Sequence, residues 1–294
     1  MDELLELELE LEVGAVAAGG ACVAHAPDGR VVFVRHAVPG ERVRAVVTGE
    51  TRRFLRADAV EVLDASPDRV EPPCPYARPG RCGGCDFQHV ALPRQRLLKA
   101  ELVAEQLRRL AGLDLDHLRD GGVWDGTVEP VPGDDEGLGW RLRIAFSADR
   151  DGRLGLHRHR SADLEHVERC WIAAPGLPEV LDREWPGARG VEAATTADGR
   201  QRVVHVTGRP SARPDVPDAG LVVGDRRVSV PHGLRHTARG RRFEVSAGGF
   251  WQGHRGAAEL LARVVLDLLA PRAGERAVDL YAGAGLFAAL LGDA

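Results

Sequence analysis

Four cysteines stand where their thiols could act together. Cys74, Cys82 and Cys85 fall close in sequence, and Cys170 follows much later. Thiolates packed this closely repel one another unless a cation binds them, so the spacing points to a metal centre. Gly83 and Gly84, between Cys82 and Cys85, allow a tight turn in which backbone N–H groups face sulfur. Spacing alone leaves two identities open, a structural four-cysteine zinc site and a [4Fe–4S] cluster, because both take four thiolates in a roughly tetrahedral set. The plainer reading, small hydrophobes in a core, suits Cys22 among Gly19, Gly20 and Ala21.

A second constellation lies near the end of the chain, in Asp279-Leu280-Tyr281-Ala282-Gly283-Ala284-Gly285. The pattern predicts an apolar strand over residues 276–281, a glycine turn, and a helix starting at Leu286. Gly283 and Gly285 would let the backbone approach a ligand at the start of that helix. Gly283-x-Gly285-x-x-Ala288 also fits a dinucleotide fingerprint, whose acidic partner would fall past residue 294. The motif by itself therefore leaves NAD open.

The third candidate is a set of arginine blocks. Residues 30–56 hold seven arginines and two glutamates, residues 141–160 six arginines against Asp149 and Asp151, and residues 225–242 a further excess of arginine. Such blocks could bind phosphates although the chain as a whole carries net charge -5. The bland alternative is a solvated surface. Lys99 is the single lysine, so the cationic surface is guanidinium rather than ammonium.

These groups need a frame to position them. In a chain of 294 residues, 44% hydrophobic and 28% charged, the composition is that of an ordinary globular protein and excludes disorder, collagen and coiled coil. Alternating apolar residues over 6–13, then short apolar runs at 31–34, 43–47 and 59–63 with turn signals between, predict a small closed β-barrel over residues 1–65. Residues 66–73, with three prolines, read as a linker. A helical period over 93–113 places Leu98, Leu102 and Leu110 among its apolar positions, with Gly112 at its end. Trp140, Leu142, Ile144 and Phe146 alternate with Arg141 and Arg143 as a strand, closed by a hairpin turn at 149–152. Further strands at 203–206, 221–223, 228–230 and 243–245 make a β-rich central α+β domain over 66–246 that bears the metal site. Residues 208–220 read as a proline-rich loop. A helix over 255–270 and the glycine turn open an α/β unit over 247–294, the first unit of a Rossmann-like sheet whose remaining units are not in the chain. The chain thus reads as multidomain, β and α/β, and as a portion of a longer enzyme. The acidic start is unlike a signal peptide, and no run reaches the ~18 apolar residues of a spanning helix. A cytoplasmic protein with no membrane partner is expected.

Cys74-Pro75 followed by Cys82-Gly83-Gly84-Cys85-x-x-Gln88-His89, after a barrel containing Val38-Pro39-Gly40-Glu41, resembles the class I S-adenosylmethionine-dependent RNA uracil-C5 methyltransferases with an N-terminal TRAM domain. The likeness continues through Phe250-Trp251-Gln252 and the Asp279–Gly285 motif. It implies an OB-like TRAM barrel and a [4Fe–4S] cluster on Cys74, Cys82, Cys85 and Cys170 in preference to zinc. It also implies an S-adenosyl-L-methionine site with Gln252, Asp279, Tyr281, Gly283 and Gly285, and a structured RNA partner, tRNA or rRNA. It implies no protein partner. Leu286 replaces a polar residue found in some members, so no contact is carried over to that position.

C5 of uracil is a weak nucleophile, so its methylation needs a thiolate to add at C6 and a base to remove the C5 proton. In the resembling family these groups come from late motifs that have no match here. No catalytic residue is therefore assigned within the chain, which is expected to lack methyl transfer on its own. The rival reading is a non-catalytic RNA-binding protein built from the barrel and the four-cysteine domain. Aromatic residues are only 5%, so recognition would rest on backbone contacts and a flipped base rather than extensive stacking.

Overall fold

The computed structural model describes residues 7–134, 136–211 and 215–292. The chain divides into two compact units, Met1–Pro130 with His157–Ala162, and Val131–Leu156 with Asp163–Ala294.

In the first unit, β1 (Glu8–Glu12), β2 (Cys22–His25), β3 (Val31–Arg35), β4 (Arg42–Glu50) and β5 (Phe54–Asp64) form one sheet in the order β1-β4-β5-β3-β2. The expected barrel is present, and Glu6, at the edge of its first expected strand, lies outside the described residues. Residues after β1 return to β2, with the Gly14 amide donating to Val23 O at 2.7 Å and the Val23 amide to Ala15 O at 2.9 Å, and this closes the sheet. Alternation sorts the faces: Leu11, Val32, Val34, Val43, Leu55 and Ala57 are buried inside, while Glu8, Glu10 and Glu12 face out. Each buried leucine or valine of this set contributes about 1.5–3 kcal/mol.

The segment after β5, expected as a linker, is instead tied down. Arg69 forms a bridge with Val90, and the Val70 amide donates to His89 O at 3.0 Å. Helix α1 (Leu92–Ala111) begins with Pro93 in its first turn and ends at Gly112, whose φ of 64° supplies the left-handed cap. Leu98 is fully buried in the barrel core and Leu102 packs beside it, but Leu110 is 77% exposed. Twelve residues past Leu98 a helix has turned about 120° off the buried face, so Leu110 cannot share it. A short helix α2 (Leu115–Asp120) is capped by the Asp114 carboxylate.

In the second unit, β6 (Arg143–Ala148), β7 (Leu154–His157), β8 (Leu164–Glu165), β9 (Ala188–Thr195), β10 (Arg202–Gly208), β11 (Gly220–Val223) and β12 (Arg226–Ser229) form a sheet in the order β12-β11-β10-β9-β6-β7-β8. The expected hairpin turn holds β6 to β7, the Asp149 carboxylate accepting from the amides of Asp151 and Arg153, each at 2.9 Å. Residues 212–214 of the expected proline-rich loop lie outside the described residues. A separate hairpin, β13 (Gly233–Ala238) with β14 (Arg241–Ser246), joins helices α3 (Ala257–Leu269) and α4 (Leu286–Leu291) around Leu142, Phe243, Val245 and Trp251.

The strand expected over 276–281 does not form; those residues are irregular. Among the described residues no strand lies beside them, and Val278, Leu280 and Tyr281 are 82%, 77% and 104% exposed. A single strand with neither ladder nor apolar cover has nothing to hold it extended. Helix α4 does start at Leu286, as expected.

Candidate cofactor turn and cysteine sites

The first unit positions three of the cysteines. Cys74 is buried, and its amide donates to the Gln88 side chain at 3.1 Å. The Cys82–Cys85 loop is fastened at two places. Cys82 bridges Arg158, and the Gly83 amide donates to His157 O at 3.0 Å. A Cβ on Gly83 would stand 2.7 Å from the backbone of His159, so this position has room only for glycine. On the other side Asp86 accepts from Arg35 Nη2 at 3.0 Å, and a Cβ on Gly20 would meet Asp86 at 2.8 Å. Arg35 is buried, with Asp58 4.0 Å away as its second carboxylate. Gly84 passes close to sulfur, its Cβ position lying 3.5 Å from Cys82 Sγ.

Cys170 belongs to the second unit, partly buried at the margin of that unit's core. Among the described residues no group of three or more His, Cys, Asp or Glu side chains is placed to hold a metal ion. Within the first unit Cys74 is held by Gln88, and the Cys82 loop by residues 157–159 and, through Asp86, by Arg35. The donor set itself, four thiols with a glycine turn at Gly83 and Gly84, is chemically that of a zinc or iron–sulfur site. Cys22 is the core residue expected: it is fully buried, burial and the nearby Glu41 charge push its thiol up to about 12, and Sγ donates to Ala37 O at 3.4 Å.

The glycine turn lies in the second unit. Gly283 and Gly285 have φ of 57° and 77°, and Tyr281 takes φ 62°, a left-handed conformation that tyrosine rarely adopts. The Asp279 carboxylate reaches forward to accept from the Ala288 amide at 3.1 Å, joining the turn to the first turn of α4. A Cβ at Gly285 would meet nothing within 4 Å, and one at Gly283 would meet only Tyr281 O at 3.9 Å and Phe250 at 4.0 Å. The turn therefore presents open backbone beside Phe250. Trp251 anchors the Phe250–Gln252 segment in the core, its ring 4.6 Å from that of His236, and Gln252 is half-buried next to it. Burial, with the Arg143 charge, lowers His236 to about 4.

Sequence reasoning missed the buried charges. Glu41 has no exposed side-chain surface and accepts from Arg69 Nε and Nη2, both at 2.6 Å, from the Val38 amide at 2.8 Å and from the Ser66 amide at 3.1 Å. Burial opposes its ionisation, but these hydrogen bonds outweigh burial and hold the carboxyl below its ordinary value. The signal was present in Val38-Pro39-Gly40-Glu41, an acid at the end of a turn in a barrel.

Ion pairing also thins the arginine blocks. Arg30 pairs with Asp28 and Glu50, Arg42 with Asp64 and Glu10, and Arg44 with Glu61. Arg143 pairs with Glu192, Arg235 with Glu244 and Arg239 with Glu259.

The family model of the TRAM domain matches residues 8–60, the span of the barrel. A relative from Streptomyces avermitilis, described as an uncharacterized RNA methyltransferase, is 48% identical over 97% of this chain and 69% of its own length. A 23S rRNA (uracil(1939)-C(5))-methyltransferase of Chromohalobacter salexigens is 34% identical over 94% of this chain and 62% of its own. The chain thus spans about two thirds of the length of its curated relatives. Among solved structures, the Pyrococcus abyssi tRNA (uracil-54, C5)-methyltransferase in complex with S-adenosyl-L-homocysteine shares the fold, with TM-score 0.59 at 17% identity, over 94% of this chain and 69% of that one. The chain belongs to the TRAM-bearing RNA uracil-C5 methyltransferase family.

Proposed function

We propose that the protein acts in the C5 methylation of a uridine in a structured RNA, tRNA or rRNA, with S-adenosyl-L-methionine as methyl donor. The observation that carries this reading is the 48% identity over 97% of the chain to an RNA methyltransferase, together with the open turn at Gly283 and Gly285. S-adenosylmethionine would supply an electrophilic methyl group. Gly283 and Gly285 would admit its amino-acid end against backbone, Asp279 fixes the turn through Ala288, and Gln252 and Tyr281 are proposed as further contacts to it. The domain assignment follows the chemistry: residues 1–65 for RNA, 66–246 for the cysteine site, 247–294 for the cofactor.

No side chain among residues 1–294 is assigned as the attacking thiolate or the base. Cys22 is inert in the barrel core. The remaining cysteines, Cys74, Cys82, Cys85 and Cys170, are proposed as ligands of a [4Fe–4S] cluster, with zinc as the alternative, on the strength of the donor set and the glycine turn at Gly83 and Gly84. Residues 1–294 alone are accordingly expected to transfer no methyl group.

Deleting the gene should remove 5-methyluridine from one RNA position, read by nucleoside mass spectrometry, and re-expression should restore it. Unchanged 5-methyluridine in every RNA would refute the proposal. Protein purified without oxygen should be brown and hold about four irons per chain. Colourless protein with one zinc would replace the cluster assignment, and 5-methyluridine formed by residues 1–294 alone would place the nucleophile among the cysteines named here.

A further inference from the structure

The seven arginines of residues 30–56 are not one surface. Arg30, Arg35, Arg42 and Arg44 are each within 4.0 Å of a carboxylate, and Arg35 is also buried. Arg52, Arg53 and Arg56 have no carboxylate within that distance among the described residues, and all three lie at or just past the β4–β5 turn. The barrel's uncompensated positive charge is therefore gathered at one tip.

That tip is rigid and carries aromatic rings. The Thr51 hydroxyl donates to Phe54 O at 2.8 Å and accepts from the Phe54 amide at 3.0 Å, while the Thr51 amide donates to Phe54 O at 2.9 Å. Strands β3 and β5 run parallel, with Phe33 opposite Arg56 and Val31 opposite Phe54. Because Val32 and Leu55 point into the core, Phe33, Phe54 and Arg56 share the outer face. The two phenyl rings meet edge to face at 5.5 Å, and the Arg56 guanidinium lies 4.6 Å from the centre of the Phe54 ring. Arg52 and Arg53 are exposed beside this plate.

We propose that the tip is a subsite for an unpaired nucleotide of RNA, with the base stacked on the Phe54–Arg56 plate and the flanking phosphates on Arg52 and Arg53. A guanidinium held over a ring offers a flat cationic face to a base of any identity. A base inside a duplex has both faces covered, so the plate selects single strands or loops, whereas Arg52 and Arg53 bind either. The assignment rests on the RNA reading above and names the form of RNA the barrel takes.

The test measures binding of the 294-residue chain to an unstructured oligoribonucleotide and to an RNA duplex of equal length by fluorescence anisotropy across salt concentrations. Phe54→Leu keeps the apolar packing and Arg56→Lys keeps the charge. Each should weaken single-strand binding about fivefold or more while changing duplex binding less than about twofold, with the salt slope unchanged. Arg52→Ala with Arg53→Ala should weaken both RNAs and lower the single-strand slope by about 0.7 for each phosphate no longer neutralised. If Phe54→Leu melts early, Arg56→Lys alone decides the stacking claim. Wild-type affinity for the single strand in both stacking variants would overturn the proposal, and so would equal losses on single strand, duplex and heparin, the mark of a simple polyanion patch. A wild-type chain that binds neither RNA would instead refute the RNA reading itself.

Discussion

Glu41→Gln offers a sharp test of how the barrel is joined to the segment that follows it. The carboxylate is fully enclosed and accepts four hydrogen bonds, two from the Arg69 guanidinium and two from amides on either side of β4 and β5. Glutamine keeps the shape but replaces one acceptor oxygen by an NH2 group that must face existing donors, and it leaves Arg69 without its counter-charge. Breaking one side of an enclosed ion pair costs about 3–5 kcal/mol. Because Arg69 retains 21% of its side-chain exposure, water screens part of the loss and the lower figure, about 3 kcal/mol, is expected. At about 2–4 °C per kcal/mol, thermal unfolding followed by circular dichroism should show a midpoint drop of roughly 10 °C. The pH dependence gives a second check. The folded carboxyl titrates below its ordinary 4.5, so its contribution is present above that pH and is lost as pH falls through the lower folded value. The variant should lack this acid-side loss. A melting point within about 2 °C of wild type, with the same acid profile, would refute the account of Glu41 as the clasp.

Three further outcomes follow from single positions. His236 is 3% exposed and its Nε2 has no hydrogen-bond partner among the described residues, so His236→Phe, which keeps a ring against Trp251, should be neutral or stabilising by about 1 kcal/mol. Wild-type stability should fall between pH 6.5 and about 4 as the unfolded histidine takes a proton that the folded one refuses, a component missing from the variant; a destabilised His236→Phe would show that Nε2 has a partner. Cys22, its thiol pushed up to about 12, should resist alkylation in native protein and react only after denaturation, and mass spectrometry finding it labelled at pH 8 would contradict its burial. Gly152→Ala would drive a Cβ to within 2.5 Å of the Trp185–Pro186 backbone at a φ of 84°, so a loss of about 2 kcal/mol or more in urea unfolding is expected, and a neutral result would mean the hairpin can shift freely.

Much of the frame could be read from sequence because its signals are local. Period-two leucines and valines marked β1, β3, β4 and β5, and a helical period bounded by Pro93 and Gly112 marked α1. What was missed lacked such a signal. β2 is four residues behind a double glycine, β9 is rich in small residues and reads as a loop until Val191, Ala193 and Ala194 are seen buried, and β13 is interrupted by Arg235, His236 and Thr237. Residues 276–281 erred the other way, having the composition of a strand without a neighbour to pair with. The site was legible as residue types, four cysteines and a glycine turn, but not as geometry. The pairs that organise it, Arg35 with Asp86 and Glu41 with Arg69, are separated by 51 and 28 residues, and nothing local relates them. Charge counting failed for the same reason, since it could not see which arginines were already neutralised.

The first compact unit is not one continuous stretch, since it takes in residues 157–162 as well as those up to 130. A ribosome releases the chain from its N-terminus at about 5–20 residues per second, and domains generally fold as they emerge. The barrel strands can close early. The Cys82 loop must wait for residues 157 and 158, which supply the carbonyl for Gly83 and the bridge for Cys82. Its two thiols, Cys82 and Cys85, are therefore present in the nascent chain for several seconds before the loop's backbone is fixed. In that interval the order of synthesis leaves the Cys82–Cys85 loop without its fastening, and a fragment ending at residue 130 would hold it in that unfinished state.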